Sequence, residues 1–461
     1  MRLNNYIFKF FLTVCPVFFS AYASETNKID LPEFLKRAAE TVVKFEEILT
    51  DELSLKYQKN LKISAHELII KAKTGYNLNL GSVASSCPDI SCSLLGQIPK
   101  YGITAGTTFN ADFSKSGTIS PALAVSFSAP VVRNVLGATE RLQAKSADNE
   151  TEILSRRIIE TYEEFYAVMI NLYYSWCAAR LKYDTARGSW TESRRLLDNT
   201  LEKSRRSIAD QADVARSELQ FLEKTDSLLS ASNEYAKYSE EVFLLINLDR
   251  NTWPVIPQML LEEPRFEEEY RDYTNSGRTY TMLKLLTENS RLEVLMQKNT
   301  LLPGADAQIY YQMQSGAKTD HYLGTSINFE FPVFREKNKA LYETSVIADQ
   351  KLRLNNGYTA VTDRITLVKL HSDIQKQLEL YKNAGKKTVL AQKILTAAEN
   401  DYRYGRFTLQ QLITAINDLE TINYNRLSAE IALFRLNVEW LSRTDRLVSS
   451  LGSLKKNDHV K

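Results

Sequence analysis

The chain is written twice. Around Pro130 it reads Val125-Ser126-Phe127-Ser128-Ala129-Pro130-Val131-Val132-Arg133, and around Pro332 it reads Ile327-Asn328-Phe329-Glu330-Phe331-Pro332-Val333-Phe334-Arg335. Each is an alternating strand closed by a proline that cannot continue a ladder, followed by a long helical pattern. The offset is 202 residues. Upstream, Ile98-Pro99 and Leu302-Pro303 repeat at an offset of 204, and downstream the polar break near Ser207–Asp213 recurs at Tyr404–Gln411, at about 198. One unit of about 200 residues used twice accounts for all three correspondences, in order. Pro130 and Pro332 are read as the strand–helix junctions.

Within each unit the strand patterns have a period of two. Ala307, Ile309, Tyr311 and Met313 share one face, with Asp306, Gln308, Tyr310, Gln312 and Gln314 on the other. After a turn at Ser315–His321, Leu323, Thr325, Ile327, Phe329 and Phe331 oppose Gly324, Ser326, Asn328 and Glu330. The first unit gives Ile103, Ala105, Thr107, Phe109, Ala111 and Phe113, then Lys115-Ser116-Gly117, then Leu123, Val125 and Phe127. Strands of this length suit a transmembrane barrel wall at about 9–11 residues per crossing, and equally a half-buried soluble hairpin. Four strands cannot close a barrel alone, and open edges are forbidden in lipid, so a membrane reading requires three chains contributing twelve strands.

The helical patterns carry the length. They run from Arg133 to about Arg206 and from Arg335 to about Tyr404, each near 70 residues and so about 105 Å if continuous. Gly188, Gly357 and Gly385 are candidate bends or breaks. Return helices begin near Asp213 and Gln411; the second shows Leu409, Leu412, Ile416, Leu419 and Ile422, then Ile431, Phe434, Val438 and Leu441, a coiled-coil seam. The scarcity of turn formers agrees: the 461 residues include only 16 Gly and 11 Pro.

Arg2 and Lys9 precede the apolar run Phe10–Ala23, and Ala21-Tyr22-Ala23 supplies a small-x-small cleavage pattern, so residues 1–23 read as a signal peptide. The run is too short to cross about 30 Å of hydrocarbon. These two cations are the whole surplus behind the net charge of +2. The exported remainder is neutral, which argues against a nucleic-acid partner. Four scattered histidines argue against a His-based metal site, and no convergent acids, nucleophiles or ligands stand at catalytic spacing. The chain therefore reads as a non-enzyme without cofactor or metal. Cys87 and Cys92, in a Ser-rich segment of an exported chain, are expected to close a small disulfide loop. Cys177, among aromatics, is expected to be a packed core thiol.

An exported, duplicated chain with a strand pair, a junction proline and a long helical hairpin in each half resembles the outer-membrane efflux protein (TolC-like) family. The segment Ala397-Ala398-Glu399-Asn400-Asp401-Tyr402-Arg403-Tyr404-Gly405 through Leu409, Leu412 and Leu419 is similar to that family's signature at the hairpin tip. Asp213-Val214-Ala215-Arg216-Ser217-Glu218 resembles the matching piece of the first half. The likeness spans about residues 31–447. It implies a mainly α fold with β: two tandem repeats forming a homotrimer, with a twelve-stranded barrel in outer-membrane lipid and a long periplasmic α-barrel. It also implies an exit duct for solutes or proteins, docked at its lower tip to a periplasmic adaptor and an inner-membrane transporter, in efflux or type I secretion.

The expected division is a first repeat at 24–250, with strands about 101–129 and a hairpin about 133–250. A second repeat follows at 251–447, with strands about 305–331 and a hairpin about 335–447, then a polar tail at 448–461. Asp213, Arg216, Gly405, Gln411, Thr414 and Asp418 are the candidates for the constriction or docking tip. Two departures from the resemblance stand out. Gln411-Leu412-Ile413-Thr414 replaces the acidic run with which some members close the tip, and Ser207-Ile208-Ala209-Asp210 lacks the usual glycine. Residues 74–97 read as an insertion before the first strand, or else Tyr76–Val83 is itself the first strand and the cysteines lie in an external loop. The alternative function is a non-conducting envelope structural or adhesin-like protein on the same scaffold.

Overall fold

The computed structural model describes residues 28–62, 68–79, 85–98, 101–113, 119–207, 209–255, 263–315, 318–331 and 334–456. The expected signal peptide and Pro332 lie outside them. In chain order, β1 (Lys28–Ile29), α1 (Leu31–Thr41) and α2 (Val43–Lys62) lead into four strands, β2 (Leu68–Asn79), β3 (Ser85–Ile98), β4 (Ile103–Phe113) and β5 (Ile119–Pro130). The hairpin α3 (Ala138–Arg205) and α4 (Gln211–Ile246) follows. The second repeat has β6 (Trp253–Pro254), α5 (Phe266–Ser276), α6 (Arg278–Asn299), β7 (Gly304–Ser315), β8 (Thr319–Glu330), α7 (Glu336–Arg403), α8 (Leu409–Arg443) and α9 (Leu447–Lys456).

Both outgoing helices, α3 and α7, are 68 residues long, about 100 Å, and start 198 residues apart. The repeat is therefore exact through the helices, yet the junction prolines are 202 apart. The difference lies between β5 and α3, where the first repeat carries four more residues. That stretch includes a 3-10 turn at Val135–Gly137, with Asn134 at φ 65, Leu136 at φ 50 and Gly137 at φ 68, all left-handed. The Asn134 side chain holds this turn, accepting from Thr139 N at 2.7 Å and donating to Glu140 Oε1 at 2.8 Å. Gly188, Gly357 and Gly385 do not break the helices. Each lies inside α3 or α7, with nothing within 4 Å of where a Cβ would stand.

The strands form one antiparallel sheet in the order β2-β3-β4-β5-β7-β8. The repeat pairs β4–β5 and β7–β8 meet through β5 and β7, with Phe127 opposite Ile309. The two additional strands are a finding. They overlap the segment 74–97 read as an insertion, and the alternative with an external cysteine loop is corrected too. Cys87 and Cys92 both belong to β3, facing Asn77 and Ala72 of β2. Five residues of extended strand separate their Cα atoms by about 16 Å, whereas a disulfide spans roughly 4–7 Å. Cys92 is a free, exposed thiol, so the expected small loop does not form; the Cys87 side chain lies outside the described residues.

A three-dimensional core exists mainly at the middle of the long helices. There α1, α4, α8 and α9 converge on α3, burying Phe34, Tyr173, Tyr174, Trp176, Phe434 and Leu447. Tyr174 stacks on Phe434 at 5.2 Å, the Tyr173 hydroxyl donates to Ile29 O at 2.9 Å, and Trp176 Nε1 donates to Ser239 Oγ at 3.0 Å. Cys177 is buried in this cluster, and burial pushes its thiol up to about 12. The segment read as a polar tail is corrected in part. Its first residues continue α9, with Leu447 buried and Leu451 packed on the same core.

Above this belt α3 packs between α2 and α6, and α6 packs on α7. Below it, α3 packs on α4 and α8, and α8 on α7.

Candidate functional site

Register assigns every strand residue to a face of the sheet. Phe109 of β4 stands opposite Cys92 of β3 and Leu123 of β5, Leu123 opposite Met313, and Met313 opposite His321. Extending these rows by twos puts Leu68, Ile70, Ile90, Leu94, Phe109, Val125, Phe127, Ile309, Leu323, Ile327 and Phe329 on one face. Leu68, Ile70, Leu323 and Phe329 are each at least 66% exposed in the single chain. The opposite face carries Lys71, Lys73, Ser91, Ser93, Gln97, Thr104, Thr108, Ser126, Ser128, Asp306, Gln308, Gln312, Asn328 and Glu330, interrupted by Ile69 and Leu95. A sheet of 11–14-residue strands with one apolar and one polar face is what lipid outside and water inside demand of a barrel wall.

At the far ends of the long helices are two tight turns. Gly405 closes α7 at φ 72 and Ser207 occupies the matching position after α3 at φ 55. Asp210 caps α4 by accepting from Asp213 N at 2.7 Å. Thr408 caps α8 reciprocally: its hydroxyl accepts from Gln411 N at 3.4 Å while Gln411 Oε1 accepts from Thr408 N at 2.8 Å.

The candidate tip residues thus fall into distinct roles. Gln411 is a capping side chain. Asp213 pairs with Arg216 at 3.4 Å on the first turns of α4. Thr414 is exposed and donates to Gln410 O at 2.9 Å, Asp418 is exposed on α8, and Gly405 shapes the turn. Among the described residues, the hydrogen bonds and ion pairs of these six stay within their own hairpin.

The contacts that join the hairpins are others. Gln220 of α4 donates to Asn417 Oδ1 of α8 at 2.7 Å, Asn417 returns a bond at 3.3 Å, and Lys224 meets Glu420 at 2.5 Å with both side chains largely buried. Nearer the tip, Lys203 Nζ lies 4.2 Å from the centre of the Tyr402 ring. Leu196 of α3 packs with Leu395, Ala398, Leu412, Ala415 and Ile416 of α7 and α8, beside a groove of about 900 Å³. Sequence reasoning missed Gln220, Lys224, Asn417 and Glu420 because no local pattern marks a contact 196 or 197 residues apart.

At the belt, Arg278 at the start of α6 holds two carboxylates. Its Nη2 lies 2.5 Å from Glu163 Oε2 of α3 and 3.3 Å from Asp445 Oδ1, and its backbone N–H donates to Asp445 Oδ2 at 2.5 Å. Glu163 also accepts from Val448 N at 3.2 Å, tying α9 to the knot. Burial raises the Glu163 carboxyl above its usual value against the opposing pull of Arg278. Among the described residues no group of His, Cys, Asp and Glu could hold a metal ion, and no helix is long and apolar enough to cross a membrane.

No family model matches the sequence and no curated protein matches it. Solved structures do. The outer membrane protein VceC from Vibrio cholerae superposes at a TM-score of 0.66 with 10% identity, covering 90% of this chain and 95% of that one. The Campylobacter jejuni CmeC outer membrane channel gives 0.65 with 10% identity, over 95% and 94%. The Neisseria gonorrhoeae MtrE outer membrane channel, in its open state, gives 0.66 with 11% identity, over 90% and 89%. At these identities the likeness carries the fold: this chain has the TolC-like fold of outer-membrane efflux channels.

Proposed function

We propose that three copies of this chain form an outer-membrane exit duct, carrying solutes or proteins from a periplasmic adaptor and an inner-membrane transporter to the exterior. The observation that carries this reading is the two-faced sheet, apolar outside and polar inside, continuous with helices of about 100 Å. A soluble protein has no use for so large an apolar face presented to water.

The helical wall supports the trimer. Its free flank on one side is α7, where Ile347, Leu354, Tyr358, Val361, Ile365 and Val368 form an exposed stripe at heptad-like spacing. On the opposite flank α2 exposes Leu49, Leu53 and Tyr57, and α4 exposes Leu219, Leu222 and Leu229. Second and third copies would bury both stripes in one closed tube. The hairpin tips, where Tyr404 and Phe407 stand exposed beside Arg403 and Arg406, are the docking end. Permeation needs no covalent chemistry, only a gate that has two packings.

Purified full-length protein in planar bilayers tests this reading. Trimers with discrete conductance steps are expected; monomers that leave the bilayer silent would refute it.

A further inference from the structure

Beyond the duct reading, on which it rests, we propose that β2 and β3 belong to the membrane wall. In this arrangement β8 of each copy pairs with β2 of the next, so that the trimer closes an eighteen-stranded barrel instead of the twelve strands of the two repeat pairs alone.

The hydrogen-bond ladder makes the case first. A twelve-stranded closure requires β8 of a neighbour to bond the outer edge of β4. That edge is occupied: β3 pairs with β4 from Ile98 opposite Ile103 to Asp89 opposite Asp112. The remaining strand edges of the sheet are those of β2 and β8. An edge left open in hydrocarbon strands unpaired N–H and C=O groups, so these two must satisfy one another. Successive strands alternate in direction, and with six strands per chain β8 and the next copy's β2 run antiparallel, as a continued meander needs.

The side chains agree independently. β2 and β3 continue the apolar row of the wall with Leu68, Ile70, Ala72, Ile90 and Leu94, and continue the polar row with Lys71, Lys73, Ser91 and Ser93, interrupted by the facing pair Ile69 and Leu95. A hairpin folded away from the wall would have no reason to keep the same face outward in register with β4. Strands of 12 and 14 residues are also long enough to cross the bilayer.

The helices beneath point the same way. β2 follows α2 and β8 precedes α7, and α2 and α7 are the two free flanks of the upper helical wall. Sheet and helices therefore leave the same two flanks open, and one neighbour on each side closes both layers.

The functional consequence is width. At about 4.8 Å between strands tilted by about 40°, twelve strands give a backbone radius of about 12 Å and eighteen about 18 Å. The bore would more than double in cross-section at the membrane. Lys71 and Lys73 would then line it, six cations in the trimer.

Disulfide trapping in the full-length trimer tests the closure. With Cys87 and Cys92 changed to Ser and the buried Cys177 left in place, Thr325→Cys on β8 is combined in turn with Leu68→Cys, Ile70→Cys, Ala72→Cys or Thr74→Cys on β2. A control series uses Ala105→Cys, Thr107→Cys or Phe109→Cys on β4. Oxidation is expected to give covalent dimers and trimers from at least one β2 combination and none from the β4 series. Cross-linking through β4, or a trimer that cross-links through neither strand, would overturn the inference and leave the duct reading standing. Failure to form any trimer by light scattering would remove both. Electron cryo-microscopy of the unmodified trimer gives a second readout: eighteen strands are expected, and twelve with the hairpin outside the wall would overturn it.

Discussion

Lys224 on α4 and Glu420 on α8 meet at 2.5 Å, both shielded, one helical turn beyond the pair of hydrogen bonds between Gln220 and Asn417. The partners are 196 and 197 residues apart, against a helical repeat of 198. The return helices therefore meet through nearly equivalent faces, which is what a duplicated unit folding onto itself produces. These contacts link the two hairpins near their tips, so an opening that parted the hairpins would break them.

The first prediction concerns that link. Lys224→Glu sets two carboxylates against each other where an ion pair stood, removing about 1.5–3 kcal/mol from the packed arrangement. That shifts the balance between packed and parted tips by roughly 10–150-fold. Single-channel recording should show higher conductance or longer open times. The exchanged pair Lys224→Glu with Glu420→Lys should return most of the way to wild type. Unchanged conductance in the single variant would remove these residues from the gate.

Backbone strain at the first tip gives a second. Ser207 sits at φ 55, where a Cβ costs about 1 kcal/mol, while Gly405 holds the equivalent position at φ 72 without that cost. Ser207→Gly should stabilise the α3–α4 turn by about 0.5–1 kcal/mol, and Gly405→Ala should destabilise the α7–α8 turn by about 1 kcal/mol although space for the methyl exists. Hydrogen exchange of the tip amides reads both signs. Faster exchange in Ser207→Gly would contradict the assignment.

Much of the architecture was legible because it is written in periods. Alternation over Ala305–Met313 and the long 3.6-residue patterns are local signals that tertiary structure had no reason to override. The β2–β3 hairpin was illegible for the opposite reason. Its first strand opens on three consecutive apolar residues, Leu68, Ile69 and Ile70, and its second contains Ser85, Ser86, Pro88 and Gly96, which read as loop. Those residues are extended because β4 offers an edge, a long-range cause that propensity does not carry. At the tip, Thr408-x-x-Gln411 is a capping-box pattern visible in the sequence, and the structure gives Gln411 that capping role at the start of α8. Lys224, Glu420, Gln220 and Asn417 had no local mark at all.

A third prediction tests the belt. Arg278 is the shared partner of Glu163 and Asp445 in a site where its own side chain is 14% exposed. Arg278→Ala strands two shielded carboxylates and should cost about 3–5 kcal/mol, separating α6 from α3 and from the α8–α9 turn. Arg278→Lys keeps the charge but cannot reach both partners with a planar fork, so an intermediate loss is expected. Thermal unfolding of the purified protein measures the order. Equal melting temperatures for the Ala and Lys variants would show that charge placement, not the fork, is irrelevant to this joint.

The last prediction follows from the direction in which three carboxyls are displaced. Burial raises Glu163, Glu160 and Asp363 above their usual values; for Glu160 the nearby Asp445 charge adds to the effect. A carboxyl that holds its proton more tightly when folded makes the folded state bind more protons than the unfolded chain, so stability falls as pH rises through the folded value. These groups therefore favour the folded belt in mild acid, and their contribution fades toward neutral pH. Below the ordinary carboxylate range of about 4 the unfolded chain is protonated as well and no further gain accrues. Glu163→Gln removes one of the three while keeping an acceptor for Val448 N–H. Melting curves between pH 5 and pH 8 should show a smaller fall in stability with rising pH for this variant than for wild type. A steeper fall in Glu163→Gln would mean that Arg278, rather than burial, governs the Glu163 proton.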